Sequence, residues 1–541
     1  MNMTHQENLQ RLVQMNALLL AHDFESLEAA VVAHWHDGLM DEETLNTARA
    51  LRLGGLVVYL ATLGVQNVPD SHEHRVWLAV YQALSARAQT AAFAQLPERW
   101  PVKWALRAVI APEDQLPEFA RLRTCQGTTY DWMAAYELAI DTERYDLLLG
   151  MLEHHPDAFT AEDWLTIGKM MTQRQFGRRR SARLEAFAAS FMYVRQQLVG
   201  VDSLQQALGY LAASAGHFYL KSDCYEKALS ISTLLTAPEV AVHQCALAAE
   251  SHCHLGQHAE SIAWLDRLLI MISTDEIARA KFYELGTGDD VQGSAGGSSH
   301  FDPQQAAVAL VDLEKVLASI GQRPFLVSGT LLGYAREGGL LSHDKDIDVG
   351  VLGWRNQFDI VEALGASDLF DVKYHYLRGA ETYHLACVHL PTQTSIDVFI
   401  YHEQDGRYVT GVQSAFGYLQ TFAFTPFSLK RVSFLGIDFH VPADFALNLQ
   451  ENFGDWRVSD PDYISHIESP STMAVGGTVY QLVLRLSFFT TLKDRKPQRF
   501  ARTLQYAHRH RARAQGASDQ VLQAAAELQK YLETSQEGGV A

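Results

Sequence analysis

The chain has 541 residues, 48% of them hydrophobic and 20% charged, which is the balance of an ordinary soluble globular protein. Its formal net charge of −19 repels polyphosphate backbones and excludes nucleic acid as a bulk partner. The five cysteines, Cys125, Cys224, Cys245, Cys253 and Cys387, are odd in number and form no CxxC pair. That argues against a disulfide framework or a structural zinc site and favours a reducing compartment.

At roughly 100–200 residues per domain, the length suggests about three domains. The N-terminus, MNMTHQENLQRLVQMNALLLAHDF, lacks the basic-then-apolar order of a secretory signal. The best apolar run, Leu51 to Val65, is broken by Gly54, Gly55 and Gly64. It falls short of the about 20 residues a bilayer span needs. No transmembrane segment is expected. The expected location is the cytoplasm, with peripheral attachment at the inner membrane surface as the alternative.

Residues 1–283 read as helical: apolar residues recur at three- and four-residue steps, as at Tyr145, Leu148, Leu149 and Leu152. They divide into a helical domain at 1–200 and a repeat region at 201–283. Within the latter, LKSDCYEKALSI from Leu220 aligns with LGQHAESIAWLD from Leu255, and Ala228 with Ala263. The offset of 35 is close to the tetratricopeptide period. The region resembles a tetratricopeptide (TPR)-like pair of helical hairpins, a form suited to binding a protein partner.

Residues 284–300 read as a flexible linker, because GTGDDVQGSAGGSSH carries almost no apolar side chain. The character then changes. FDPQQAAVALVDLEKVLASIG reads as a helix with Asp302 as N-cap, Pro303 at its first position and Gly321 at its end. PFLVSGT reads as a strand, LLGYARE as a helix, and DIDVGVL and TSIDVFIYH as strands. Mixed elements in this order predict an α/β or α+β domain over 301–480, followed by a helical extension at 481–541.

Asp344, Asp346 and Asp348 alternate, and alternate residues of a strand share a face. Ile347 and Val349 would turn to the opposite, buried side. Asp397 stands alone among apolar residues in SIDVFIY. Burying unpaired carboxylates is costly unless a cation compensates them. All-oxygen ligands suit magnesium or manganese. Upstream, Gly329 permits a tight strand-to-helix turn between the hydroxyls of Ser328 and Thr330. Backbone N–H groups at the new helix start would face an anion, within reach of the Arg336 guanidinium.

Three motifs in this order, SGTLLGYAREGG, HDKDIDVGV and SIDVFIY, resemble the LicD/fukutin family of the nucleotidyltransferase superfamily. The stretch VSFLGIDFHVPADFALNLQENFGDW is similar to that family's closing segment, with Phe453 in place of a tyrosine. The resemblance covers roughly Gln304 to Asp462. It implies transfer of phosphocholine, ribitol phosphate or a related group from a CDP-activated donor to a glycan or lipid-linked saccharide. It implies a divalent cation, Mg2+ or Mn2+, at Asp346 and Asp348. Asp397 would be the third ligand or the general base. Ser328, Gly329, Thr330 and Arg336 would hold the donor phosphates, with Asp344 as a supporting acid; no role carries over to His343.

Other features carry less. His384 and His389 fall on opposite faces of one strand, so with His375 and Cys387 they do not converge as a zinc site. Asp455 and Trp456 either shape a pocket or end a helix at Gly454. Two basic runs, Gly177–Arg183 and Lys493–Arg513, read as solvated helix faces, with an anionic glycan or lipid surface as the alternative. Two rival functions remain: a nucleotidyltransferase moving NMP from an NTP to a small molecule or protein, and a non-catalytic TPR scaffold.

Overall fold

The computed structural model describes residues 101–110, 118–127, 129–141, 143–155, 159–172, 183–285, 302–341, 346–353, 357–373 and 382–537, together with Gln14 and Arg99. The apolar run at 51–65, the linker residues 286–300, Asp344, His343, His375 and the basic run up to residue 182 lie outside them. The chain divides into two compact units, Met1–Val240 and Ala241–Ala541.

Every longer element described in the first unit is helical: α1 (Pro101–Ile110), α2 (Thr129–Asp141), α3 (Tyr145–Glu153), α4 (Ala161–Thr172), α5 (Arg183–Gln197), α6 (Gln205–Lys221) and α7 (Tyr225–Ser232). Tyr145, Leu148 and Leu152 of the expected stripe are buried, and so are Leu147 and Met151, so α3 is covered on most sides. His155 sits in an aromatic cage. Its ring lies 3.7 Å from that of Phe159 and 4.3 Å from that of Trp132, and Nδ1 is 2.9 Å from the Tyr136 hydroxyl.

In the second unit, α8 (Ala241–His254), α9 (His258–Thr274) and α10 (Glu276–Glu284) share an apolar core with α16 (Thr478–Lys493), α17 (Pro497–Arg509) and α18 (Asp519–Glu537). Leu265, Leu269 and Phe282 pack there with Leu484, Phe488 and Leu528. Residues read as repeat and as extension thus build one core across the intervening sheet domain.

One turn recurs in the helical parts. The caps preceding α3, α7 and α9 (Arg144, Cys224 and Gln257) have nearly the same backbone angles, φ −89 or −90° and ψ 63°. Each follows a residue at positive φ: Glu143 (56°), Asp223 (59°) and Gly256 (74°). α7 starts at Tyr225 and α9 at His258, so the structural register differs by two residues from the sequence alignment. The counterpart of the fully buried Ala228 is therefore Ser261, whose hydroxyl donates to the Ala249 carbonyl at 2.7 Å. Ala263, expected at the close contact, is exposed.

Among the described residues the sheet has nine strands. They are β1 (Phe325–Leu326), β2 (Ile347–Leu352), β3 (Phe370–Val372), β4 (His384–His389), β5 (Thr394–Gln404), β6 (Arg407–Gln413), β7 (Leu419–Phe424), β8 (Leu429–Phe434) and β9 (Ile437–Pro442). The main order is β3-β4-β5-β2-β1-β9-β8, and β6 joins β5 to β7. Among the described residues only β2–β5 and β1–β9 are parallel, which makes the domain α+β. The remaining helices are α11 (Pro303–Ser319), α12 (Ser328–Glu337), α13 (Gln357–Gly365), α14 (Phe445–Phe453) and α15 (Ser465–Glu468). Asp302 caps α11 by accepting from the Gln304 N–H at 2.8 Å.

The alternation of β2 and β5 sorts their side chains cleanly. Ile347, Val349, Val351, Ile396, Val398 and Ile400 join the core formed with α11 and α13. On the other face, Phe399 and Tyr401 cluster with Phe325, Val327, Phe422 and Phe424. Gly350 is required there: a Cβ would come within 2.6 Å of the Phe325 ring and 2.9 Å of Val327.

Candidate active site

Two of the expected acids, Asp348 and Asp397, fall side by side on one face of the sheet. β2 and β5 are parallel neighbours, and their register sets Asp348 beside Asp397. Adjacent strands lie about 4.8 Å apart, so two carboxylates stand side by side with repulsion between them. Asp346 occupies the bend just before β2, two residues from Asp348 and, like it, partly buried. Both acids of the pair continue along the strands into the aromatic cluster, through Gly350 on one side and Phe399 on the other.

The turn before the helix is sewn to the same strand. α12 begins at Ser328, earlier than the sequence suggests, with Ser328 at φ +43°. The Gly329 N–H donates to Asp348 Oδ2 at 2.8 Å, and the Asp348 N–H donates to Thr330 Oγ1 at 2.8 Å. Gly329 and Thr330 therefore fix the position and rotamer of Asp348. Leaving out a side chain at Gly333 lets α12 approach the following loop, since a Cβ would meet the Gly339 carbonyl at 2.6 Å.

Arg336 points elsewhere than expected. Its Nε donates to the Trp456 carbonyl at 2.6 Å and its Nη2 to the Val458 carbonyl at 2.8 Å. It ties α12 to the FGDW turn after α14. In that turn Trp456 is buried and Asp455 exposed. Arg499 reaches the Pro461 carbonyl at 2.7 Å and Arg502 reaches Asp460 at 2.7 Å, so the chain beyond the turn is held from α17.

His384 is the residue the sequence did not assign to the site. It is buried on β4, stacked on Phe399 with ring centroids 5.1 Å apart, and its Nε2 stands 3.3 Å from Asp397 Oδ1. The signal was present: His384 and Asp397 sit on strands whose pairing brings Ala386 opposite Asp397. Only the register shows that His384 leans onto it. His389 faces away, 3.3 Å from Asp312 on α11, in keeping with its odd spacing from His384. Cys387 is buried in the core, where desolvation, then Asp397 and Asp371, push its thiol up to about 12. Burial, and next the charge of Asp348, push the Tyr401 hydroxyl well above the ordinary tyrosine range.

Among the described residues, no three or more His, Cys, Asp or Glu side chains gather closely enough to enclose a metal ion. This donor set still fits magnesium, which is commonly held by one or two carboxylates together with substrate phosphates. Asp348 and Asp397 provide such a pair.

The mixed sheet thus sets in-register aspartates on adjacent parallel strands, beside a glycine-led helix start. Residues 321–444 match the family model described as LicD/FKTN/FKRP, nucleotidyltransferase domain, and the chain carries that domain there. The matched range contains every site residue proposed from the sequence, and ends before the FGDW turn. The ribitol-5-phosphate transferase FKTN of Mus musculus is 26% identical over 159 residues, 27% of this chain and 34% of the relative. The Homo sapiens protein of that name has the same identity over the same length. An uncharacterized protein of Rickettsia prowazekii is 24% identical over 148 residues, 27% of this chain and 52% of the relative. The aligned part thus spans about a third of the FKTN proteins' length.

Proposed function

We propose that the chain is a metal-dependent transferase that moves a substituted phosphoryl group, such as ribitol phosphate or phosphocholine, from a CDP-activated donor to a glycan. The observation that carries the reading is the register of Asp348 with Asp397 on parallel neighbours. The family match and the similarity to proteins named ribitol-5-phosphate transferase support it.

In this reading Asp348 and Asp397 would hold the divalent cation, with Asp346 as the expected third acid two residues along the chain, and the cation would supply neutralisation of charge on the donor's pyrophosphate linkage. Alternatively, Asp397 would take the proton of the acceptor hydroxyl as general base. The start of α12 at Ser328, Gly329 and Thr330 would turn its positive end to donor phosphates with the N–H groups that Asp348 does not take, and Arg336 would join them only by leaving the Trp456 and Val458 carbonyls. Catalysis then rests on positioning and on charge compensation. We place the enzyme in the cytoplasm, acting on a lipid-linked or other saccharide at the inner membrane surface. The helical hairpins, whose shared turn favours a tetratricopeptide-like reading, would bind a protein partner.

Incubation of the full chain with CDP-ribitol, CDP-choline, CDP-glycerol and free NTPs, each with Mg2+, tests the proposal. Release of CMP from a CDP donor is expected. Pyrophosphate release from an NTP would instead assign NMP transfer.

A further inference from the structure

We propose that the turn at Met473–Gly476 and the arginine-rich turn at Arg509–Arg513 form one surface that docks on an anionic lipid bilayer. The inference rests on the membrane-surface location proposed above and takes nothing from the transfer chemistry.

Charge is unevenly spread along the chain. The whole carries −19, yet Ser469 to Ser518 holds nine lysines and arginines and a single acid, Asp494. Some of these cations serve the fold: Arg485 meets Asp266, Arg499 the Pro461 carbonyl and Arg502 Asp460. Arg509, Arg511 and Arg513 instead stand exposed where α17 ends and the chain turns toward α18. Arg509 lies over the Tyr506 ring at 4.7 Å. Asp519 lies 3.6 Å from Arg511, in an ion pair exposed on both sides and therefore weak. Arg509 and Arg513 both stand close enough to His510 to add to burial in lowering its pKa.

An apolar tip sits against this basic turn. Ala474 and Gly476 have φ 49° and 81°, and the Gly477 N–H closes the turn on the Ala474 carbonyl at 2.9 Å. Met473 and Val475 are left 40% and 47% exposed. Gly476 faces the arginines: a Cβ there would meet Arg513 Cγ at 3.2 Å and His510 Nδ1 at 3.3 Å. The His510 ring packs edge-on against Tyr480 with centroids 5.1 Å apart, and its carbonyl accepts from Gln481 Nε2 at 3.3 Å. The two turns are thus fixed to each other.

Single exposed apolar side chains are common on any surface. Two on one tight turn, beside three exposed guanidiniums, supply both parts of peripheral membrane binding: attraction to anionic headgroups and shallow insertion of apolar groups. A soluble polyanion would use the arginines and leave Met473 and Val475 without a role. The tip is also bound to the sheet. The Met473 N–H donates to the Thr421 carbonyl and the Ala423 N–H to the Ser471 carbonyl, each at 2.9 Å, so the segment runs along β7. β7 in turn supplies Phe422 to the aromatic cluster that continues from the acid pair.

The test is co-sedimentation of the full chain with vesicles of phosphatidylcholine, alone or mixed with phosphatidylglycerol. Binding to the mixed vesicles only, and its loss in high salt, is expected. Arg509→Gln, Arg511→Gln and Arg513→Gln combined should weaken it roughly 100-fold, at about fivefold per charge. Met473→Ser with Val475→Ser should weaken it about tenfold. Both variants should unfold as wild type does and keep its CMP release. Wild type that ignores the mixed vesicles, or an arginine variant that binds them at full affinity, overturns the inference. If the serine variant binds at full affinity, the tip has no part in docking and the inference falls; dextran sulfate bound by wild type and lost with the arginines would then assign the surface to an anionic glycan. CMP release without vesicle binding sinks this inference and leaves the transferase standing; vesicle binding without CMP release does the opposite.

Discussion

Two places in the second unit treat charge in opposite ways. In the helical core, Arg485 of α16 is fully buried and meets Asp266 of α9, with Nε at 2.9 Å from Oδ1 and Nη2 at 3.4 Å from Oδ2. Its Nη1 donates to Gln481 Oε1 at 2.8 Å. Each charge finds its opposite, and the contact needs nothing from outside. On the sheet, Asp348 and Asp397 sit side by side with like charge. Hydrogen bonding fixes one of them but does not cancel the repulsion. The first arrangement is complete as folded; the second, in the function proposed above, would be completed by a cation and the phosphates it accompanies.

The largest expected effect separates those two sites by what each loses. Asp348→Asn should reduce turnover roughly 10²–10³-fold, the scale of removing one essential electrostatic group from an active site. Its amide oxygen can still accept from Gly329, and the repulsion is gone. Unfolding in urea should therefore show stability equal to or above wild type. A fall of several kcal/mol would mean that the acid pair is structural.

Arg485→Met should do the reverse. It leaves Asp266 buried without its partner, a change that costs about 3–5 kcal/mol when such a pair is broken. Burial already outweighs the attraction of Arg485 and raises the Asp266 carboxyl above its ordinary value. Partial exposure of Asp266 (21% of its side chain) places the cost at the lower end, about 3 kcal/mol. Folded protein should keep its turnover per molecule. Loss of activity beyond loss of folded protein would show that α9 and α16 act on the site.

This contrast marks what could be read from the chain. Asp346, Asp348 and Asp397 stand out because acids interrupt apolar strands, and alternation alone gives them a face. The register that sets Asp348 beside Asp397 is a tertiary property that two separated motifs only suggest. Arg485 and Asp266 lie 219 positions apart and gave no local signal. The pairing of helices on both sides of the sheet domain was invisible for the same reason: apolar periodicity says which face is buried, not against what. The sequence alignment of Leu220 with Leu255 is two residues off the register of the helix starts at Tyr225 and His258. The turn is fixed by positive φ at Asp223 and Gly256, and only glycine advertises that conformation.

A smaller effect tests a third way of handling a polar group, that of keeping it neutral. Burial in its aromatic cage lowers the His155 pKa from 6.5 to about 4, against a weaker opposing pull from Asp163. The unfolded chain binds a proton below about pH 6.5 that the folded first unit refuses. The contribution is thus fully present above pH 6.5 and is lost as pH falls toward 4, by at most about 1.4 kcal/mol per pH unit. Urea titrations followed by tryptophan fluorescence at pH 7.0, 6.0 and 5.0 would show it. His155→Phe should flatten that slope; an unchanged slope would place the titration elsewhere.

The smallest effect concerns Arg336, where motif and structure assign different work. As a phosphate ligand, it would lose donor affinity on substitution. As placed, it holds the Trp456 and Val458 carbonyls, and so links α12, whose first turn fixes Asp348, to the FGDW turn. Arg336→Ala removes hydrogen bonds from a charged donor on a partly exposed side chain, worth about 1 kcal/mol in stability. Faster amide hydrogen exchange across residues 454–458 is expected, with the donor dissociation constant rising by less than tenfold. A large loss of donor affinity with exchange unchanged would show that the guanidinium swings to the phosphates when the donor binds. Both changes together would mean that the clamp itself shapes the donor pocket, and the sheet site would then depend on its surroundings as the Arg485 pair does not.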